Sequence, residues 1–405
     1  MPPFPSSLFY LLVRFRLSSS SSSFFRYFEL VLEAPWLPEE TTAQSFLGDW
    51  GVRRCGAGRG GTGEEAKERG TNHSAPSSSP SSSSDMAAVR AAYEMLYETV
   101  YRPGQSYLFC CSEPTYCPTV IPTTGAPVAR PTYNTSRLLA AWRAMIAVAP
   151  QCKGSASFEY DLVSVGREYL SMVPCVTAFD AVNASLPKDD LIRSTRALLA
   201  VSADIDLLLQ TSAGYLLGSW LKGARSLAGG KAGGEGEGKM GEMNKEKERK
   251  KERERESLAD FYEWNARSQI STWQPVADPS GKKGVPGLAD YARKEWSGMI
   301  RTYYSVRVET WLNVTLAHQQ QGGAGESVEL PPNKQRSVDA AEKRAERNHA
   351  DDGRSREERP VLPLDEALAR FAYTWQNTRW DEQDLPSVPV GDAVEMSGRL
   401  MLKYT

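Results

Sequence analysis

The chain has 405 residues, and its 48 Lys and Arg nearly balance 50 Asp and Glu, for a formal net charge of −2 and a pI near 6.1. That balance argues against nucleic acid as a partner, since polyanion binding needs a strongly basic domain or face. No apolar run approaches the ~20 residues needed to cross a bilayer, the run at 8–13 ending at Arg14.

In chain order, residues 1–85 are Ser- and Gly-rich at 18–23, 56–63 and 77–84. Sequence so poor in periodic apolar residues cannot offset the entropy of ordering, so 1–85 is expected to be disordered. Arg14, Arg16 and Arg26 with no acidic residue before Glu29 are the composition of an organellar targeting segment; a wrongly assigned upstream coding region is the alternative. A helical domain is expected over 86–405.

From Met86 the apolar residues recur at helical spacing. Leu138, Leu139, Trp142, Met145, Ile146 and Ala149 share one helix face, with Asn134, Thr135 or Ser136 as N-cap. Phe158, Leu162, Val165, Tyr169, Met172 and Val173 define the next helix, which Pro174 should kink or end. A longer pattern follows Pro187, from Leu191 to Leu209. Glycine-rich 229–241 and the charged run 245–256 form one insertion, and 319–359 a second, both expected to loop into solvent. Ser257 is placed to N-cap a helix whose first turn holds Asp260 and Glu263. Leu288, Tyr291, Trp296, Met299, Ile300 and Tyr303 again have helical spacing. No stretch alternates strictly over four or more cycles, so the expected class is all-α, a helical array.

Chemistry-bearing motifs are few. Gly233 to Lys239 fits Gly-x4-Gly-Lys, but Met240 stands where a hydroxyl must reach magnesium and no strand precedes it, so phosphate binding is not expected. Cys110, Cys111 and Cys117 lack the paired spacing of a zinc site, and no metal or cofactor is expected. In a secreted chain Cys117 could bridge to Cys110 or Cys111. Sequons stand at Asn72, Asn134, Asn183 and Asn313, the last three being the candidate glycosylation sites.

Three runs are the most informative: LLGSWLKGAR at 216–225, LADFYEWNARSQISTWQP at 258–275 and LADYARKEWSGMIRTYYSVR at 288–307. With YNTSRLLAAWRAMIAVAP at 133–150, FEYDLVSVGREYL at 158–170 and a fainter match at 363–404, this chain resembles the C-terminal helical domain of the family 89 α-N-acetylglucosaminidases. The resemblance implies an enzyme that removes terminal α-linked N-acetylglucosamine from glycans such as heparan sulfate, in a lysosomal, vacuolar or secreted setting. A retaining glycosidase needs two carboxyl groups ~5–5.5 Å apart. In the family both are glutamates on a (β/α)8 barrel, a fold of ~250 residues that precedes the helical domain. The barrel is therefore the expected partner, the glycan the expected ligand, and the chain alone is expected to be inactive.

The same resemblance places Trp273, Leu288 and Tyr291 in the wall that the helical domain lends to the sugar pocket. An indole face suits the C–H face of a pyranose, and a phenol can bond a sugar hydroxyl. The chain departs from the family by inserting 276–287, with Lys282 and Lys283, between the two aromatics. Read from periodicity alone these residues are core, as are Trp264, Trp311, Trp375 and Trp380. The alternative function is a free-standing helical interaction or saccharide-binding module.

Overall fold

A computed structural model describes residues 41–56, 83–99, 117–122, 128, 130–131, 133–229, 242–272, 276, 293–322 and 362–405. The fold is all-α, as expected: α1 Ala43–Cys55, α2 Ser83–Tyr97, α3 Thr135–Val148, α4 Ala156–Met172, α5 Pro174–Asp180, α6 Lys188–Gln210, α7 Leu217–Ser226, α8 Glu242–Ser271, α9 Ser305–Gly322, α10 Leu364–Gln376 and α11 Ala393–Lys403. Consecutive helices pack as neighbours from α1 to α4, and α6 lies centrally against α4, α5, α9 and α11.

Local sequence explains the best-defined elements. Asn134 Oδ1 accepts the Arg137 N–H and caps α3, whose Leu138, Trp142 and Met145 are fully buried. The Trp142 indole lies on Gly166 of α4, where an added Cβ would meet the ring at 2.6 Å, so the two helices pack closely only because that residue is glycine. Pro174 ends α4 and opens α5 at its first turn, where its missing N–H costs no helical bond.

Five expectations need correction. Residues 43–55 are not disordered: α1 buries Phe46, Trp50 and Cys55 and packs on α2 and α4. The Arg54 Nε donates to Asp161 Oδ2 at 2.5 Å, and the Tyr93 hydroxyl donates to the same oxygen at 2.9 Å. The domain therefore takes in sequence well before Met86. Cys117 pairs with Cys175 rather than with Cys110 or Cys111, which lie outside the described residues, and Cys55 pairs with Cys152. Neighbours in space, not in sequence, decide these bridges.

The charged run does not loop out. It is the first half of α8, and Ser257 lies inside that helix, not at its cap. Lys, Arg and Glu are strong helix formers, and Glu256 anchors the run by accepting from Arg225 at 2.7 Å and from Arg379. The second insertion also begins later than expected, because α9 continues to Gly322 and Gln319 donates to the Ala184 and Leu186 carbonyls at 2.9 and 3.2 Å.

Finally, no helix includes Trp296. Leu216 and Ser297 form an isolated parallel bridge, Gly298 takes φ +86°, and the helix starts beyond it through a π-turn, Ile300–Tyr304. A left-handed glycine followed by a tertiary cap overrides the periodicity: Asp206 of α6 accepts from the Gly298 N–H at 2.7 Å and the Arg301 N–H at 3.3 Å.

Candidate functional site

Trp273, Leu288 and Tyr291 lie outside the described residues, but the chain on either side of them is well anchored. Upstream, Gln376 of α10 is buried and donates to Ser271 Oγ at 2.9 Å and Thr272 Oγ1 at 2.8 Å, while its carbonyl accepts the Val276 N–H at 2.9 Å. One side chain thus bonds the Ser271 and Thr272 hydroxyls before Trp273 and the Val276 backbone after it. Downstream, Arg293 takes φ +41°, a left-handed conformation that costs energy for a non-glycine residue.

Two buried carboxylates hold the segment that follows. Glu295 pairs with Arg167 of α4 and accepts from Ser171 Oγ at 2.8 Å. Asp206 accepts from Gly298 and Arg301 as above, and from Ser297 Oγ at 3.3 Å. Burial raises the pKa of both, with Arg167 opposing at Glu295 and Arg301 opposing at Asp206.

A raised carboxyl pKa means that the folded state takes up a proton before the unfolded state does. Stability from these groups therefore grows as pH falls through the folded values, and stops growing below the unfolded values near ~4. Asp206→Asn keeps an acceptor for Gly298 but cannot titrate. We expect the stability of the unaltered protein relative to this variant to increase as pH is lowered from neutral toward ~4 in urea unfolding. A flat or opposite trend would show that Asp206 is not held against ionisation.

Asp260 and Glu263, the acids in the LADFYEW run, are both engaged by arginine. Arg225 of α7 donates to Asp260 Oδ1 at 2.5 Å and to Glu263 Oε2 at 2.9 Å, and Arg267 Nε donates to Glu263 Oε1 at 3.0 Å. Arg267 in turn lies 4.8 Å over the Trp375 ring. Ion pairing accounts for these acids, which lie well inside α8 rather than in its first turn, and Glu263 is buried.

One group carries no sequence signal that separates it from the core. Trp220 of α7 is 42% exposed, its indole N–H donating weakly to the Ala266 carbonyl at 3.4 Å. Its ring lies 5.8 Å from that of Trp296, and the Lys294 ammonium lies 5.8 Å over the latter. Trp311 and Trp375 are buried as expected, and Trp264 and Trp380 partly so. Asn134, Asn183 and Asn313 are all exposed. Among the described residues no group of three His, Cys, Asp or Glu could hold a metal, and no helix is long and apolar enough to cross a membrane.

The array has the fold of a domain within family 89 glycoside hydrolases. A family 89 glycoside hydrolase from Clostridium perfringens in complex with 2-acetamido-1,2-dideoxynojirmycin superposes with a TM-score of 0.58 at 17% identity, over 93% of this chain and 33% of that one. The structure of that bacterium's enzyme with its substrate GlcNAc-alpha-1,4-galactose gives 0.56 at 16% identity, with the same coverage. The family model for the alpha-N-acetylglucosaminidase (NAGLU) C-terminal domain matches residues 82–403, and the chain belongs to that family. Human alpha-N-acetylglucosaminidase is 26% identical over 275 residues, 67% of this chain and 28% of the human protein, so the chain spans less than a third of that relative's length.

Proposed function

We propose that this chain serves as the C-terminal helical domain of an enzyme that hydrolyses terminal α-linked N-acetylglucosamine, buttressing a barrel that carries the two catalytic glutamates. The family match over residues 82–403 carries this reading. In it, Trp273, Leu288 and Tyr291 form one wall of the sugar pocket. The Gln376 bonds on either side of Trp273 support that role, because a recognition residue must be held by its surroundings. The heparan sulfate type of substrate and a lysosomal, vacuolar or secreted location belong to the same proposal. Two disulfides fit an oxidising compartment. So do the exposed sequons, and Asn134 uses only its side-chain oxygen to cap α3, which leaves the nitrogen for a glycan.

The chain alone is then expected to show no turnover of a chromogenic α-N-acetylglucosaminide, and a barrel-containing polypeptide that includes it is expected to be active. In the latter, Trp273→Ala should lower kcat/KM by about tenfold or more at unchanged melting temperature. A fall in stability with the kinetics of the folded fraction intact would assign Trp273 to packing.

A further inference from the structure

We propose that Glu295 is an acid latch: by taking up one proton from solvent it closes residues 293–304 more tightly onto α4, so that the segment is held in acid and loosened near neutrality. The inference does not depend on the substrate proposed above. Its basis is one cation placed between two carboxylates. Arg167, Glu168 and Ser171 share one face of α4, and the Arg167 guanidinium donates to Glu295 Oε2 and, at 3.3 Å, to Glu168 Oε2. The side chains of Arg167, Glu168 and Glu295 are only 9%, 15% and 5% exposed, and among the described residues neither carboxylate pairs with a second cation. With both ionised, the group leaves a net negative charge in the interior, where desolvation disfavours it. One proton removes that charge, and Glu295 is the more deeply buried of the two.

The proton can be held without the loss of a contact. Glu295 Oε1 accepts from Ser171 Oγ at 2.8 Å. Once protonated, Oε1 donates to that hydroxyl instead, whose own hydrogen turns to a carbonyl one turn back in α4, while Oε2 goes on accepting from Arg167. Glu168 then remains as the partner of Arg167, its Oε1 accepting from the Tyr133 hydroxyl at 2.7 Å.

The surrounding groups favour the same direction. Burial raises the pKa of Glu295, Arg167 and Ser171 oppose the rise, and Glu168 adds to it. Tyr215, between α6 and α7, feels the same guanidinium, but burial keeps its phenol above the ordinary tyrosine value, so it stays neutral and bonded to Ser164 at 2.6 Å. On the segment itself Arg293 and Lys294 precede Glu295, the Lys294 ammonium lying 5.8 Å over the Trp296 ring, and Asp206 faces Arg301 further on. The left-handed backbone of Arg293 works against closure, so the segment depends on such ties.

The test is amide hydrogen exchange of the full chain, read at Ser297 and Leu217. Their N–H groups donate to the Tyr215 carbonyl at 2.7 Å and the Ser297 carbonyl at 3.1 Å, and so tie the segment to the start of α7. After correction for the intrinsic exchange rate, protection at both should rise as pH is lowered from neutral toward ~4, by up to about tenfold per pH unit. Asp206 supplies part of that rise, and Asp206→Asn removes its share; the latch requires that a rise remain in this variant. Glu295→Gln reproduces the neutral carboxyl, accepting from Arg167 and donating to Ser171. At pH 7 it should therefore be better protected than the unaltered protein, and the two should converge as pH falls. Glu168→Gln removes the excess charge by the other route and should move the rise to lower pH. Protection that falls on acidification, a rise abolished by Asp206→Asn, or poorer protection of Glu295→Gln at pH 7 would overturn the latch. So would a profile that Glu168→Gln leaves where it was. Should Glu295→Gln fail to fold, the profiles of the unaltered protein, Asp206→Asn and Glu168→Gln decide.

Discussion

Glu263→Ala is expected to cost about 3–5 kcal/mol, because it leaves two arginines without their shared buried partner. Glu263 and Arg267 are each only 2% exposed, and Arg225 is held between Glu263, Asp260 and Glu256. Burial lowers the pKa of Arg267 and Glu263 counters it; without Glu263 the guanidinium keeps, among the described residues, only the Trp375 face. Its charge would then stand in the interior with no countercharge, where desolvation is strongly unfavourable. Glu263→Gln, which retains acceptor geometry, should cost less, and Asp260→Ala, whose side chain is 48% exposed, should stay within about 1 kcal/mol. Urea unfolding of the three variants gives the ranking, and a Glu263→Ala loss no larger than that of Asp260→Ala would refute it. The consequence reaches the candidate site, since this network joins α7 and α8, and α8 ends one residue before Thr272 and two before Trp273.

What could be read from the sequence was what neighbouring residues decide among themselves. The α3 face and its Asn134 cap, the break at Pro174 and the all-α class follow from spacing and local hydrogen bonding within a few residues. What could not be read depends on partners far along the chain. The cap of the helix beyond Gly298 is Asp206, 92 residues earlier, so periodicity alone extended that helix back through Trp296. The charged run showed no apolar face, yet it continues into a helix whose later turns bury Ala259, Ala266 and Ile270. Trp220 and Trp375 look alike as sequence, and only packing leaves one 42% exposed and the other 6%. Trp273, Leu288 and Tyr291 carry no local signature that separates recognition from packing, and their assignment stems from family resemblance alone.

α1 shows how strongly a distant partner can decide order. Its sequence is short and flanked by Ser- and Gly-rich stretches, yet Gly51 lets it approach the Tyr93 ring more closely than any side chain would allow. Arg54 reaches Asp161 through both Nε and a terminal nitrogen, and donates to the Ser157 carbonyl at 2.8 Å. The Cys55–Cys152 bridge then closes a separation of 97 residues, for which the chain-entropy account gives about 4–5 kcal/mol. Replacing both cysteines by serine is accordingly expected to destabilise the domain by about 2–5 kcal/mol. The loss should centre on α1, because its helical bonds and its Arg54 pair would have to hold it without the covalent tie. Hydrogen exchange should accelerate over residues 43–55 before it does over α3 and α4, whose burial does not depend on the bridge. Should 43–55 keep the protection it has in the disulfide-bonded protein, with the melting temperature unchanged, α1 is held by packing and the Arg54–Asp161 pair, and the bridge adds nothing to the fold.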